Sequence, residues 1–145
     1  MNILAAVDLS PASAKVIEAA RGVADLTGAS IYVLHVVESE PDFIGYDADP
    51  EVLRARVAAE FPLEYRGVQA LTKQLQDEGL DAIEWLVRGP AVKTALKIAD
   101  TLDAGLFVVG THGHRAVYDV LIGSFSAEII RKTKLPVLVV PIREL

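Results

Sequence analysis

The sequence predicts an α/β fold: a single doubly wound, five-stranded parallel sheet in the order 3-2-1-4-5, with helices on both faces. Three observations lead there. Short apolar runs alternate with stretches of helical periodicity along the chain, giving β-α-β-α-β-α-β-α-β, the pattern of parallel strands joined by crossover helices. The runs are continuous rather than alternating, as in strands buried on both faces. Hydrophobic residues fill 52% of the 145 positions but aromatics only 6%, so Val, Ile, Leu and Ala must build the core. This length suits one domain, residues 1–145, with a sizeable core.

Ile3 to Val7 is the first apolar run and is read as strand one. Asp8-Leu9-Ser10-Pro11 follows and predicts a helix start, with Ser10 as N-cap and Pro11 in the first helical position. Val16, Ile17, Ala20, Val23 and Ala24 then recur at helical spacing, and Gly28 ends the helix. Ile31 to Val37 is strand two, which completes a strand–helix–strand unit expected to cross over right-handed. The acidic, proline-bearing stretch from Glu38 to Pro50 reads as a long loop. Helical pattern resumes from Glu51 to Glu78, broken near Phe61-Pro62, and Gly79 closes it. Ile83 to Arg88 is strand three. Gly89-Pro90 opens a helix whose apolar face carries Val92, Ala95, Leu96, Ala99 and Leu102. Leu106 to Val109 is strand four, a loop reaches Gly123, a helix spans Ser124 to Lys132, and Leu135 to Val140 is strand five.

A net charge of −6 argues against a nucleic-acid surface, which needs clustered Lys and Arg. The absence of cysteine excludes disulfides and thiolate chemistry. The apolar opening is cut short by Asp8, too early for a signal peptide or a membrane span, and no other run approaches the ~20 apolar residues that spanning requires. A cytoplasmic protein without membrane insertion is expected.

In open α/β sheets ligands bind beyond the carboxyl ends of the strands, where the strand order reverses. With strands one and four adjacent, that point brings Asp8 beside the Gly110-Thr111-His112-Gly113 turn. Glycines at 110 and 113 allow positive φ and let backbone N–H groups approach an anion. Gly123-Ser124-Phe125-Ser126 opens a helix, whose free N–H groups and dipole favour phosphate. An acidic protein can bind phosphates in this way, with backbone dipoles supplying the attraction and Arg115 as a further charge.

The spacing Gly110-x2-Gly113-x9-Gly123-Ser124 resembles the glycine signature of ATP-binding universal stress proteins. The Ala6-Val7-Asp8-Leu9-Ser10 opening, the His35-Val36-Val37 strand end, the Arg88-Gly89-Pro90 turn and the Leu-Pro-Val-Leu-Val-Val finish are similar to that family in the same order. The resemblance implies a Rossmann-like fold of the adenine nucleotide alpha hydrolase type and ATP, with Mg²⁺, as ligand. It implies that Asp8 and the main chain of Val36 hold adenine, with Ala6 and Val7 lining the pocket. Val109 and Gly110 then approach the ribose. Thr111 belongs to the same site, while the stretch His112, Gly113, His114, Arg115 and Ala116, with Gly123, Ser124, Phe125 and Ser126, meets the phosphates. It further implies a homodimer through the last strand, with higher oligomers and an unidentified protein partner open. Two departures stand out: Leu9 where many members carry glycine, and Phe125 where a smaller apolar residue is common.

Plainer readings stand beside these. The glycines could serve ordinary strand-to-helix turns, and Asp8 could favour a helix dipole by about 0.3–1 kcal/mol. His35 fits a hydrogen-bonded core histidine better than a metal ligand, and His112 and His114 fit phosphate or solvent. Phe43, Ile44 and Tyr46 lie in the 38–50 loop, which leaves strand two at the edge that carries the site. A nucleotide lid is therefore an alternative to a solvated loop. The glycine-rich stretch from Gly110 to Ser126 lacks the lysine of a Walker motif and any evident nucleophile–base pair, so no catalytic residue is assigned. A nucleotide-responsive regulator is the leading reading. A slow ATPase or phosphotransfer enzyme, or a non-nucleotide interaction protein on the same fold, are the alternatives.

Overall fold

The computed structural model describes residues 1–38, 50–111 and 122–142. Strands β1 (Asn2–Ala6), β2 (Ser30–Glu38), β3 (Ala82–Gly89), β4 (Ala104–Gly110) and β5 (Val137–Val140) form one sheet, ordered β3-β2-β1-β4-β5. Every pairing is parallel. Helices α1 (Ser13–Thr27), α2 (Pro50–Glu60), α3 (Pro62–Asp77), α4 (Ala91–Thr101) and α5 (Ser124–Lys132) connect them. The predicted strand order and helix alternation are those observed.

The two-residue period of a strand sends alternate side chains to opposite faces. Ile3, Ala5 and Val7 accordingly join Ile31, Val33 and Val108 under α1, α2 and α3. Leu4, Leu34, Phe107 and Val109 join Ala95, Ile98, Ala99 and Ile129 under α4 and α5. Phe107, Ile3, Leu4 and Ile31 are fully buried, and each such side chain contributes about 1.5–3 kcal/mol relative to exposure. The reversal between the two sides of the sheet falls between β1 and β4.

Several boundaries differ from the sequence reading, and three of the differences bear on the site. Helix α1 begins at Ser13 rather than Pro11, with Ala12 as its flanking residue. Ser10 is engaged one turn earlier: its Oγ accepts the Ala12 N–H at 3.2 Å, and its carbonyl accepts the Ser13 N–H at 2.9 Å. Strand β5 starts at Val137, so Leu135 and Pro136 precede the sheet. Gly110 is the last residue of β4, opposite Val140, and positive φ among described glycines falls at Gly28, Gly79 and Gly89 instead. Gly110 therefore does not take the left-handed conformation that its glycine would allow.

Other punctuation matches the reading. Helix α2 ends at Glu60 and Pro62 opens α3, where a proline costs no intrahelical bond. Gly28 caps α1 with φ 75°, its N–H donating to Ala24. Gly89 has φ 148°, and a Cβ there would lie 2.6 Å from Thr94 Oγ1, so only glycine lets β3 turn into α4.

Candidate functional site

A cleft of about 720 Å³ opens at the carboxyl edge of the sheet, over the reversal between β1 and β4. Every described residue that the sequence nominates lines it. Ala6, Val7 and Asp8 come from the end of β1, Val36 from β2, and Val109, Gly110 and Thr111 from β4. Gly123, Ser124, Phe125 and Ser126 come from the start of α5. His112, Gly113, His114, Arg115 and Ala116 lie outside the described residues, as do Phe43, Ile44 and Tyr46 of the suggested lid.

Asp8 is held in a local turn. Its Oδ1 accepts the Ser10 N–H at 2.9 Å and the Ser13 hydroxyl at 3.4 Å, a side chain–backbone bond typical of aspartate turns. Leu9 between them has φ 66°, a conformation that costs a side-chain-bearing residue roughly 1–2 kcal/mol. This explains why glycine suits the position. In return the Leu9 side chain packs on the core beneath α1 and α3, so close to Gly67 that a Cβ there would come within 3.2 Å of both its methyls.

Thr111 ties three segments together. Its N–H donates to Val140 at 3.0 Å, its carbonyl accepts the Gly123 N–H at 2.6 Å, and Oγ1 accepts the Ile142 N–H at 2.9 Å. The Gly123 N–H is thus engaged by the protein itself. Ser126, buried, donates its hydroxyl to Gly110 at 2.5 Å and fixes the first turn of α5 on β4. Phe125 faces both the cleft and the core beneath α4 and α5, where its ring packs. Helix α5 has no side-chain cap, and the first N–H groups of a helix have no partner within it.

The cleft also takes residues that the sequence reading passed over. Ser13 comes from the first turn of α1, Glu64 from that of α3, and Ala91 opens α4. Four helix N-termini therefore meet the cleft, each equivalent to about half a positive charge. Among the described lining residues there is no Lys or Arg, and the carboxylates are Asp8, Glu38 and Glu64. Backbone dipoles are thus the source of positive potential in this part of the site. His35 lines the cleft too, with Nδ1 2.8 Å from the Val7 carbonyl; a carbonyl only accepts, so Nδ1 carries the proton. No group of three or more His, Cys, Asp or Glu able to hold a metal occurs among the described residues.

A smaller cavity of about 230 Å³ lies beside β3, lined by Arg54, Tyr65, Glu84 and Leu86 among others. Arg54 stacks 4.3 Å from the Trp85 ring centroid and donates to the Glu84 carbonyl at 2.8 Å, so it covers the open edge of that strand.

The sheet order and the open cleft at its point of reversal define a doubly wound α/β protein of the Rossmann-like class. The universal stress protein family profile matches residues 1–141, and the chain belongs to that family. It is 33% identical over 144 residues to universal stress protein A homolog 1 of Coxiella burnetii, covering 99% of this chain and 97% of that one. A solved universal stress protein in complex with cAMP superposes with TM-score 0.71 at 22% identity, over 97% of this chain and 96% of the other. The universal stress protein of Archaeoglobus fulgidus in complex with dAMP gives TM-score 0.67 at 23% identity, over 97% of each chain. No helix among the described residues is long and apolar enough to cross a membrane.

Proposed function

We propose that this protein holds ATP, with Mg²⁺, in the switch-point cleft and acts as a nucleotide-responsive regulator without rapid hydrolysis. The observation that carries this is convergence. Residues nominated from four separate stretches of sequence, around 6–8, 36, 109–111 and 123–126, line one cleft. The cleft has the size of a small-molecule site, about 300–1,000 Å³. Structures of similar fold hold cAMP and dAMP, so adenine nucleotides suit this architecture.

In this reading Asp8 and the Val36 main chain hold the base, and Val109 and Gly110 lie along the ribose. The phosphates reach the uncapped first turn of α5 at Ser124, Phe125 and Ser126, and the stretch 112–116 joins them there. Thr111 and Gly123 keep that end of the site in shape through their mutual bond. The exposed edge of β5, with Leu138 36% exposed, is the surface through which we propose a homodimer.

Denaturing the purified protein and identifying the nucleotide released tests the ligand directly, followed by calorimetric titration with ATP, ADP and AMP. Retained ATP that yields no ADP over hours supports the regulator. The reading is overturned by an empty protein that takes up none of the three.

A further inference from the structure

We infer that His35 is a positioning residue: its imidazole holds one rung of the β1–β2 ladder open, and so keeps available the Val36 backbone N–H and C=O that the nucleotide reading above assigns to the base. The inference rests on the nucleotide reading for the identity of the ligand, but the open rung itself is a property of the protein alone.

In a parallel pair each strand bonds through alternate residues, and the bonds are evenly spaced. The alternation in β2 is fixed at its start. The Ser30 N–H donates to Met1 at 3.2 Å, toward β1, while the Ile31 N–H donates to Asp81 at 2.8 Å, toward β3. Even-numbered residues of β2 therefore face β1, and at the other end the Val7 N–H donates to Leu34 at 2.8 Å in keeping with this. The next rung in that series would run from the Val36 N–H to the Val7 carbonyl. It does not form among the described residues: strand pairing ends at Ala6 opposite Leu34, and the Val7 carbonyl instead accepts the His35 Nδ1–H at 2.8 Å.

The consequence is chemical. Val36 shares the parity of Ser30 and Leu34, so its donor and its acceptor both face the line of β1, just past the point where that strand ends. Val36, His35 and Val7 all line the cleft there. A donor beside an acceptor matches adenine, which offers a ring-nitrogen acceptor beside its N6 amino donor. Guanine carries the O6 acceptor in place of that amino group and would oppose carbonyl to carbonyl. His35 is thus a positioning and specificity-determining residue that acts through the Val7 and Val36 main chains. Because Val7 directly precedes Asp8, the same bond fixes where the aspartate turn begins.

Two substitutions separate this role from simple packing. Asparagine places an amide N–H about where Nδ1–H sits, so His35→Asn keeps the donor, whereas His35→Leu fills space without one. In the ligand-free protein the Val36 amide is expected to exchange with solvent faster than that of Leu34. In His35→Leu it should slow by about tenfold as the rung closes onto Val7, and in His35→Asn it should stay fast. In calorimetry His35→Leu should bind ATP about tenfold more weakly and lose preference for ATP over GTP, with His35→Asn close to the wild type. An unchanged Val36 exchange rate in His35→Leu overturns the open rung. A closed rung with undiminished ATP affinity overturns its role in recognition. Slowed exchange in His35→Leu together with no nucleotide uptake by the wild type supports the open rung and overturns the nucleotide reading alone.

Discussion

Thr111 bonds to three segments, through its backbone to the end of β5 and the start of α5 and through its hydroxyl to the chain that leaves β5 toward Ile142. Thr111→Val keeps the shape and removes the acceptor for the Ile142 N–H. The expected loss is about 1 kcal/mol, read as a lower midpoint in urea denaturation with an unchanged slope. Serine at 111 should recover most of it. A variant as stable as the wild type would show that the bond to Ile142 contributes nothing. Sequence reasoning placed Thr111 in the site but not as its clamp, because Val140 and Ile142 lie far downstream and become its neighbours only when β5 pairs with β4. Asp8 was legible as a carboxylate directly after an apolar strand. Its partner Ser13 was not, since that bond depends on Leu9 taking a positive φ. Nothing about an isolated leucine announces that conformation.

At the scale of elements, the apolar runs located all five strands because a strand buried on both faces has no polar side to interrupt it. Helix starts were less legible. Ser10 looked like the N-cap of α1, yet its hydroxyl closes the turn before the helix. Glu64 and Ala91 were missed as cleft residues because their approach depends on how α3 and α4 pack, which local pattern does not encode. The packing of α3 on β3 yields a pH dependence. Burial, and then the neighbouring Glu84 carboxylate that accepts the Tyr65 hydroxyl at 3.3 Å, raise the Tyr65 phenol above its ordinary value. The raised group resists ionisation in the folded state. Its stabilisation is therefore complete below the unfolded value of about 10 and is lost as pH rises through the folded value. The stability difference between wild type and Tyr65→Phe should shrink in favour of the variant as denaturation is repeated at rising alkaline pH. A constant difference would remove Tyr65 as its source. At the other edge of the sheet, β5 pairs only with β4 among the described strands. An apolar edge strand calls for a partner. Under the proposed homodimer, Leu138→Lys places a charge on that edge and should convert a dimer to a monomer in sedimentation velocity while leaving the fold intact. A wild type that sediments as a monomer, or a variant still dimeric, argues against this edge as the interface.

For the molecule as a whole, the fold makes an acidic chain compatible with an anionic ligand. In a parallel sheet each helix that runs back to the next strand has its N-terminus at the carboxyl edge, and Ser13, Glu64, Ala91 and Ser124 bring the first turns of α1, α3, α4 and α5 to the cleft. The net charge of −6 is thus no obstacle locally. This was legible in outline, because βα alternation fixes the polarity of each helix that returns to the next strand, whereas the number of termini reaching one cleft depended on packing. The cleft spans β1, β2, β4 and α5, so a nucleotide held there contacts both halves of the doubly wound sheet and both core faces. Under the proposed function, ligand binding to the folded state alone adds stability by mass action, about 2.7 kcal/mol when free ATP is a hundredfold above Kd. For a chain of this size that corresponds to a rise in Tm of roughly 5–10 °C. The rise should grow with the logarithm of ATP concentration, be larger with Mg²⁺ present, and fall sharply in Asp8→Ala, which removes the proposed base contact. Thermal denaturation followed by circular dichroism at several ATP concentrations reads all three effects. A Tm independent of ATP up to about 1 mM would overturn the ligand assignment, and an undiminished rise in Asp8→Ala would move the base away from the end of β1.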